Sequence, residues 1–228
     1  MDSLRKTALA AGVLYLITFV SIPTLFLYSA VRGANYIVGP GPDTRMIIGG
    51  ILEIIVALAG IGTAAALYPV VRRQNQGVAL GFVASRTLEA ATIFAGVAIL
   101  LAVVALRKSG VGAPGLVTAH ALVGLHDWTF TIGQSLIPAV NAVLLGSLLY
   151  KSRLVPRVLP VIGFIGAVLL VVSTVTMLFG VHNYNSAASG LLAIPVALWE
   201  FSLGVWLTVK GFRPSPITAG MSTRSTSV

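Results

Sequence analysis

Cysteine is absent from the 228 residues, so disulfides, thiolate metal sites and cysteine nucleophiles are excluded. Acidic residues are nearly as scarce. Six Asp and Glu stand against 15 Lys and Arg, and charged residues make up only 9% of the chain. The signatures of nucleotide and hydrolytic chemistry are missing: no P-loop, no GxGxxG following a strand, no GxSxG and no HExxH. The formal charge of +9 does not point to nucleic acid. The basic residues fall mostly in pairs between apolar stretches, and no basic helix with interleaved aromatics occurs.

What fills the chain instead is hydrocarbon: 57% of residues are hydrophobic and the mean hydropathy is +0.96. An apolar run of about twenty residues crosses a bilayer as a helix. The sequence predicts six such spans, at 4–30, 45–71, 78–106, 127–150, 159–179 and 191–209. The first follows Arg5 and Lys6 like a signal peptide, but it lacks a small-x-small cleavage site and has the length of an uncleaved span. Pro23 is expected to bend it near its end, and Asp43 or Thr44 to cap the second helix. Residues 116–150 would reach about 52 Å as one helix, against roughly 30 Å of hydrocarbon. They are therefore divided into a short interfacial or re-entrant segment, 116–125, and the fourth span. The expected fold is an all-α polytopic membrane bundle, a single domain over residues 1–211, with no internal repeat. A Pro/Ser/Thr-rich tail, 212–228, is expected to be disordered and cytoplasmic.

Lys and Arg orient the spans. With the N-terminus inside, inner segments hold Arg5, Lys6, Arg72, Arg73, Lys151, Arg153, Arg157, Lys210, Arg213 and Arg224, whereas outer segments hold only Arg32, Arg45, Arg107 and Lys108. Both termini are then expected inside. Tyr150, Trp206 and Phe212 suit an inner aromatic belt, and Tyr28, Tyr36 and Trp128 an outer one.

Against this background the acids stand out. Glu53, Glu89, Asp127 and Glu200 lie within apolar stretches, with Arg86 three residues before Glu89. A charge in hydrocarbon is costly, so such residues face a bundle interior or a hydrated cavity. Counted by helical rise, Glu53, Arg86, Glu89 and Glu200 lie about 12 to 18 Å from the nearer ends of their spans, near mid-membrane. Asp127, Gln134 and Asn141, seven apart, form a polar ladder on one helical face, with Thr131 on the same side. It resembles a hydrated route from outside to the central carboxylates. Three ionised Glu and one Arg would leave two negative charges uncompensated, so a proton or a bound cation is expected among them. The structural alternative is that Arg86 and Glu89 neutralise each other at i, i+3, that Arg86 snorkels, and that Glu53 and Glu200 fix helix packing. His120, His126 and Asp127 offer three metal donors on a short stretch, though in no strong metal-motif spacing. Their alternative role is interfacial, with Asp127 capping the fourth span. Neither a catalytic residue nor a cofactor is identified.

Several stretches are familiar in order: DTRMIIGGILEIIVALAGIGTAAALYPVVRRQNQG at 43–77, SRTLEA at 85–90, LHDWTF at 125–130, YKSRLVPRVLPVIGFIG at 150–166 and WEFSLGVWLTVKGF at 199–212. Together they resemble a bacterial multi-pass membrane family known as domain of unknown function 4386. That resemblance implies a protein of the bacterial plasma membrane and supplies no catalytic residues. Three functional expectations stand side by side. The first is binding or transport of a proton, small cation or polar solute through an outward-facing polar pocket formed by Glu53, Arg86, Glu89, Asp127, Gln134, Asn141 and Glu200. The second is a membrane-embedded enzyme with a Glu acid or base and a His/Asp metal site. The third is a structural or accessory subunit. The expected partner is the lipid bilayer, and no nucleic acid.

Overall fold

The computed structural model describes residues 3–33 and 35–219. Six long helices, each long and apolar enough to cross a membrane, account for most of it: α1 (Ser3–Arg32), α2 (Asp43–Val71), α3 (Gln76–Lys108), α4 (Ala113–Ser152), α5 (Val158–Leu178) and α6 (Ala187–Val209). No strand occurs among the described residues. Large apolar side chains such as Ile51, Leu88, Val168 and Phe201 point away from the bundle, while Glu53, Arg86, Glu89 and Asn141 are buried inside it. Polar inside and apolar outside is the arrangement a lipid solvent selects, and the chain is a multi-pass membrane protein.

The helices form a ring in chain order, each packed on the next, and α1 closes the ring against α6. Short connections enforce this order. Asn75 caps α3, its side chain accepting from the Val78 amide, and Ser186 caps α6 in the same way from Ser189. Arg5 ties the closure, donating to the carbonyls of Leu207 at 2.9 Å and Thr208 at 2.6 Å at the end of α6. The start of α1 and the end of α6 thus share one face of the bundle, here the terminal face; the opposite one is the far face.

Small residues permit the close approach. A Cβ on Gly12 of α1 would lie 2.5 Å from Thr208 Oγ1 and 2.6 Å from the Thr208 amide nitrogen. A Cβ on Gly166 of α5 would lie 2.6 Å from the Val196 nitrogen of α6. Two large apolar layers and a small cluster of Ala57, Ala90 and Ile93 fill the ring. Tyr15, Phe82, Leu145, Trp199 and Leu203 belong to the layer on the terminal side, and Tyr28, Tyr36, Met46, Leu100 and Val103 to that on the far side. The polar residues of α3 lie between them.

Three sequence expectations change here. The segment 116–125 does not turn back: its helix runs through a wide turn into the fourth span, and residues 113–152 form one helical run of 40 residues. The run contains a wide turn over Thr131–Leu136, in which the Ile137 amide bonds the Ile132 carbonyl five residues back. Pro138 explains the turn, because it offers no amide to the Gln134 carbonyl and its ring crowds that position. Asp127 therefore lies inside a helix and caps nothing. Asp43 likewise caps no amide. It accepts from Tyr36 Oη at 3.0 Å and pairs with Arg107, fastening the far-face loop. Burial and the Asp43 carboxylate push the Tyr36 hydroxyl above the ordinary tyrosine range, so it remains a donor. Finally, the tail expected to be disordered is held over its described part. Arg213 donates its amide to the Leu154 carbonyl at 2.8 Å, Ser215 Oγ donates to the Ser152 carbonyl at 2.6 Å, and Thr218 is buried. Residues 220–228, Arg224 among them, lie outside the described residues. The remaining spans differ from expectation by a turn or less, and the regular part of α1 ends at Ile17, ahead of Pro23, as a proline bend requires.

Ring closure gives the first prediction. Gly12→Leu forces α1 from α6 and should lower unfolding free energy by about 1–3 kcal/mol, the usual effect of overpacking. Reversible unfolding in mixed micelles measures it, and an unchanged midpoint would contradict the closure.

Candidate functional site

Arg86 is the centre of the site. It sits four residues after Phe82 on the inner face of α3, and its side chain is 3% exposed. Nη1 donates to Glu89 Oε2 at 2.9 Å, and Nη2 donates to Glu200 Oε1 of α6 at 2.5 Å. The guanidinium lies 5.3 Å from the Tyr15 ring centroid and 5.9 Å from that of Phe82. These faces hold the cation in place and keep it from snorkelling. Asn141 of α4 donates to the same Glu89 oxygen at 2.7 Å. Four residues from α3, α4 and α6 thus converge, and arginine stays charged in any protein environment.

Arg86, Glu89 and Glu200 line a cavity of about 280 Å³ together with Gln134 and Pro138 of α4, Thr18, Ser21 and Thr24 of α1, and small apolar residues of α2 and α6. Toward the terminal face it is closed. About one turn beyond Arg86, Asn141 and Glu200 stand Phe82, Leu145 and Leu203, all fully buried, with Tyr15 beside them. Toward the far face lies a second cavity of about 750 Å³, lined by Ser29, Arg32, Ser173, Tyr184, Ser186 and Ser189. The two share one wall: Leu25, Phe130, Gln134, Ala193 and Val196. The geometry is a vestibule, a constriction and a chamber with charged walls. The wide turn of α4 makes the constriction, since it presents Gln134 to both cavities and lets Gly133 seat against Thr92 of α3.

Of the seven residues expected at a polar core, Arg86, Glu89, Asn141 and Glu200 meet directly, and Gln134 faces the same chamber. Glu53 does not join them. It is 2% exposed, and its polar neighbours are Tyr28, His126 and Gln134. The reason is azimuthal: Glu53 lies one turn from Gly49, against which the Tyr28 ring packs, on the face of α2 toward the far apolar layer. Glu53 Oε2 and Tyr28 Oη are buried without a hydrogen-bond partner among the described residues, as are Arg86 Nε and Asn141 Oδ1. The charge deficit at Arg86 is therefore one, from two carboxylates, and not the two counted with Glu53.

Asp127 sits at the far end, paired with Arg32 Nη2 at 2.8 Å and 3.2 Å from His126 Nδ1. His126 is 2% exposed and His120 points outward, so the metal trio of His120, His126 and Asp127 does not assemble. Among the described residues no three His, Asp or Glu are placed to hold a metal ion. The enzyme reading loses the metal centre it named. Tyr15, Arg32 and Tyr184 were missed by the sequence reading. Arg32 had a signal, as the one basic residue of its loop opposite the lone acid at the start of the predicted fourth span.

A family model described as "Domain of unknown function (DUF4386)" matches residues 10–211. No curated protein matches, and no solved structure does.

The shared guanidinium makes a definite prediction. Arg86→Met strands two carboxylates and should destabilise by about 3–5 kcal/mol, the range for breaking a buried pair. Adding Glu89→Gln and Glu200→Gln to Arg86→Met should restore much of the loss. Equal instability of the single and triple variants would show that the three do not interact.

Proposed function

The chain belongs to the DUF4386 family, a domain of unknown function, and on that premise we propose that it binds and carries a small cation, a proton or a cationic polar solute across the bacterial plasma membrane. The observation that carries this reading is the stoichiometry of charge. Two carboxylates, Glu89 and Glu200, face a single guanidinium in a 280 Å³ cavity. With all three ionised the chamber is short of one positive charge, and burial makes that deficit costly. A monovalent cation or a proton completes it. Glu200, the more exposed of the two carboxylates at 18%, is the group that meets the solute. Glu89, held by Arg86 and Asn141, is the anchor.

Access supports the same reading. The chamber has a vestibule on the far face and an apolar plug on the terminal face, the asymmetry an alternating-access carrier needs in one of its states. The excess of Lys and Arg on terminal-face segments favours that face as the cytoplasmic one, which makes the vestibule outward-facing. Pro138 supplies the interrupted helix at the site; Pro195 lies within an unbroken α6.

Thermal stability in detergent tests the proposal. Sodium, potassium or methylammonium should raise the Tm of the wild type. A ligand at a hundredfold excess over Kd adds ~2.7 kcal/mol. Glu200→Gln should be at least as stable without cation, since its chamber is already neutral, and should lose the response. A wild type indifferent to every cation, with a strongly destabilised Glu200→Gln, would make the cluster a packing device.

A further inference from the structure

Glu53 and His126 take no part in the chamber, yet both are nearly inaccessible ionisable groups in the membrane. We propose that Asp127, His126 and Glu53 form a proton relay from the far face, branching from the vestibule, that couples occupancy of the chamber to protons. This rests on the reading of the chamber as a cation site and adds the coupling ion and its path.

The entry is visible. Arg32 and Asp127 form an ion pair at the far end of the bundle, and Asp127 Oδ1 lies 3.2 Å from His126 Nδ1. A cleft of about 10 Å³ lined by Thr24, Tyr28, Arg32, His126 and Asn185 leads to the imidazole. That is about the room one water molecule needs. The cleft opens off the large vestibule: Leu25, Arg32, Phe130, Tyr184 and Asn185 border both. Tyr28 stands edge-on to the His126 ring at 5.7 Å between centroids and also neighbours Glu53. Gly96 of α3 lies against the ring edge, where a Cβ would come 3.5 Å from His126 Cδ2.

The far end of the relay is Glu53. Glu53 is buried with Tyr28, Gln134 and His126 beside it, and the relay assigns one exchangeable proton to the Glu53 and His126 pair. The pair holds one proton, on Glu53 or on His126, or none after release. The groups facing this pair are Asp127 and Gln134 of α4 and Tyr28 of α1, with Arg32 acting through Asp127. From the proton-free state, imidazole takes one proton on one nitrogen from water in the cleft beside Asp127 and passes one from the other nitrogen to Glu53; cation entry drives the reverse, which returns the proton to that water, and no bond between heavy atoms changes. The relay meets the chamber at Gln134, which neighbours Glu53 and lines the chamber wall. A charge on Glu53 and a cation in the chamber thus act on each other across one side chain. Coupling of this kind is reciprocal: if protons weaken cation binding, cation binding releases protons to the same degree.

The experiment is proton release from the full-length protein in weakly buffered detergent on adding sodium or methylammonium chloride, across about pH 5 to 8, where imidazole titrates. Wild type, Glu53→Gln, Glu53→Asp and His126→Gln are compared, with the Tm response to the same salts recorded in parallel. Glu53→Gln and His126→Gln should keep the cation-induced Tm rise and lose the proton release, while Glu53→Asp retains it. Undiminished proton release in both variants overturns the relay and leaves the chamber reading intact. Wild type with no Tm response defeats the chamber reading, and infrared spectroscopy then decides the relay alone. A protonated-carboxyl band lost in Glu53→Gln and altered in His126→Gln supports it, and a band indifferent to both overturns it.

Discussion

One guanidinium divided between two carboxylates holds the rest of this structure in place. Arg86 bonds Glu89 on its own helix and Glu200 on α6, so α3 and α6 are tied across the interior of a ring in which they are not chain neighbours. Asn141 brings α4 to the same point. In lipid the hydrophobic effect gives helices little reason to associate, and association falls to packing and interhelical hydrogen bonds. The cluster is a charged bond set that joins three helices in the interior, and it is also the place where charge fails to balance. Stability and ligand demand therefore have the same origin.

The surrounding packing makes that imbalance usable. Tyr15, Phe82, Leu145 and Leu203 seal the cluster on one side, and the wide turn before Pro138 opens it toward the other by aiming Gln134 into the cavity. Glycines at the helix contacts bring the walls near enough for a 280 Å³ chamber to survive between two apolar layers. A straight α4 would carry Gln134 about 100° from its present direction, and the constriction would be lost.

Six spans and the membrane acids were legible in the sequence because charge is conspicuous on a hydrocarbon background. Arg86 and Glu89 were legible as a pair because i, i+3 spacing suffices. Their meeting with Glu200 was not, since axial depth says nothing about which way a side chain faces, and the same blindness wrongly added Glu53. The seven-residue ladder of Asp127, Gln134 and Asn141 was counted on a regular helix. The wide turn inserts an extra residue between Asp127 and Asn141, and Pro138 was its available signal. The division at residue 126 came from equating helix length with bilayer thickness, although a helix can project beyond the hydrocarbon. His126 looked interfacial beside Trp128, but the adjoining residues of one helix face different surroundings: Trp128 is 46% exposed and His126 2%.

The central claim is that the chamber is short of one positive charge. Equilibrium binding of radiolabelled sodium or methylammonium to the purified protein, with protons as competitor, tests it most directly. The account predicts saturable binding of one cation per chain, displaced as the pH falls, and none in Glu200→Gln, where Arg86 and Glu89 balance. Absence of saturable binding in the wild type, or undiminished binding in Glu200→Gln, would contradict it.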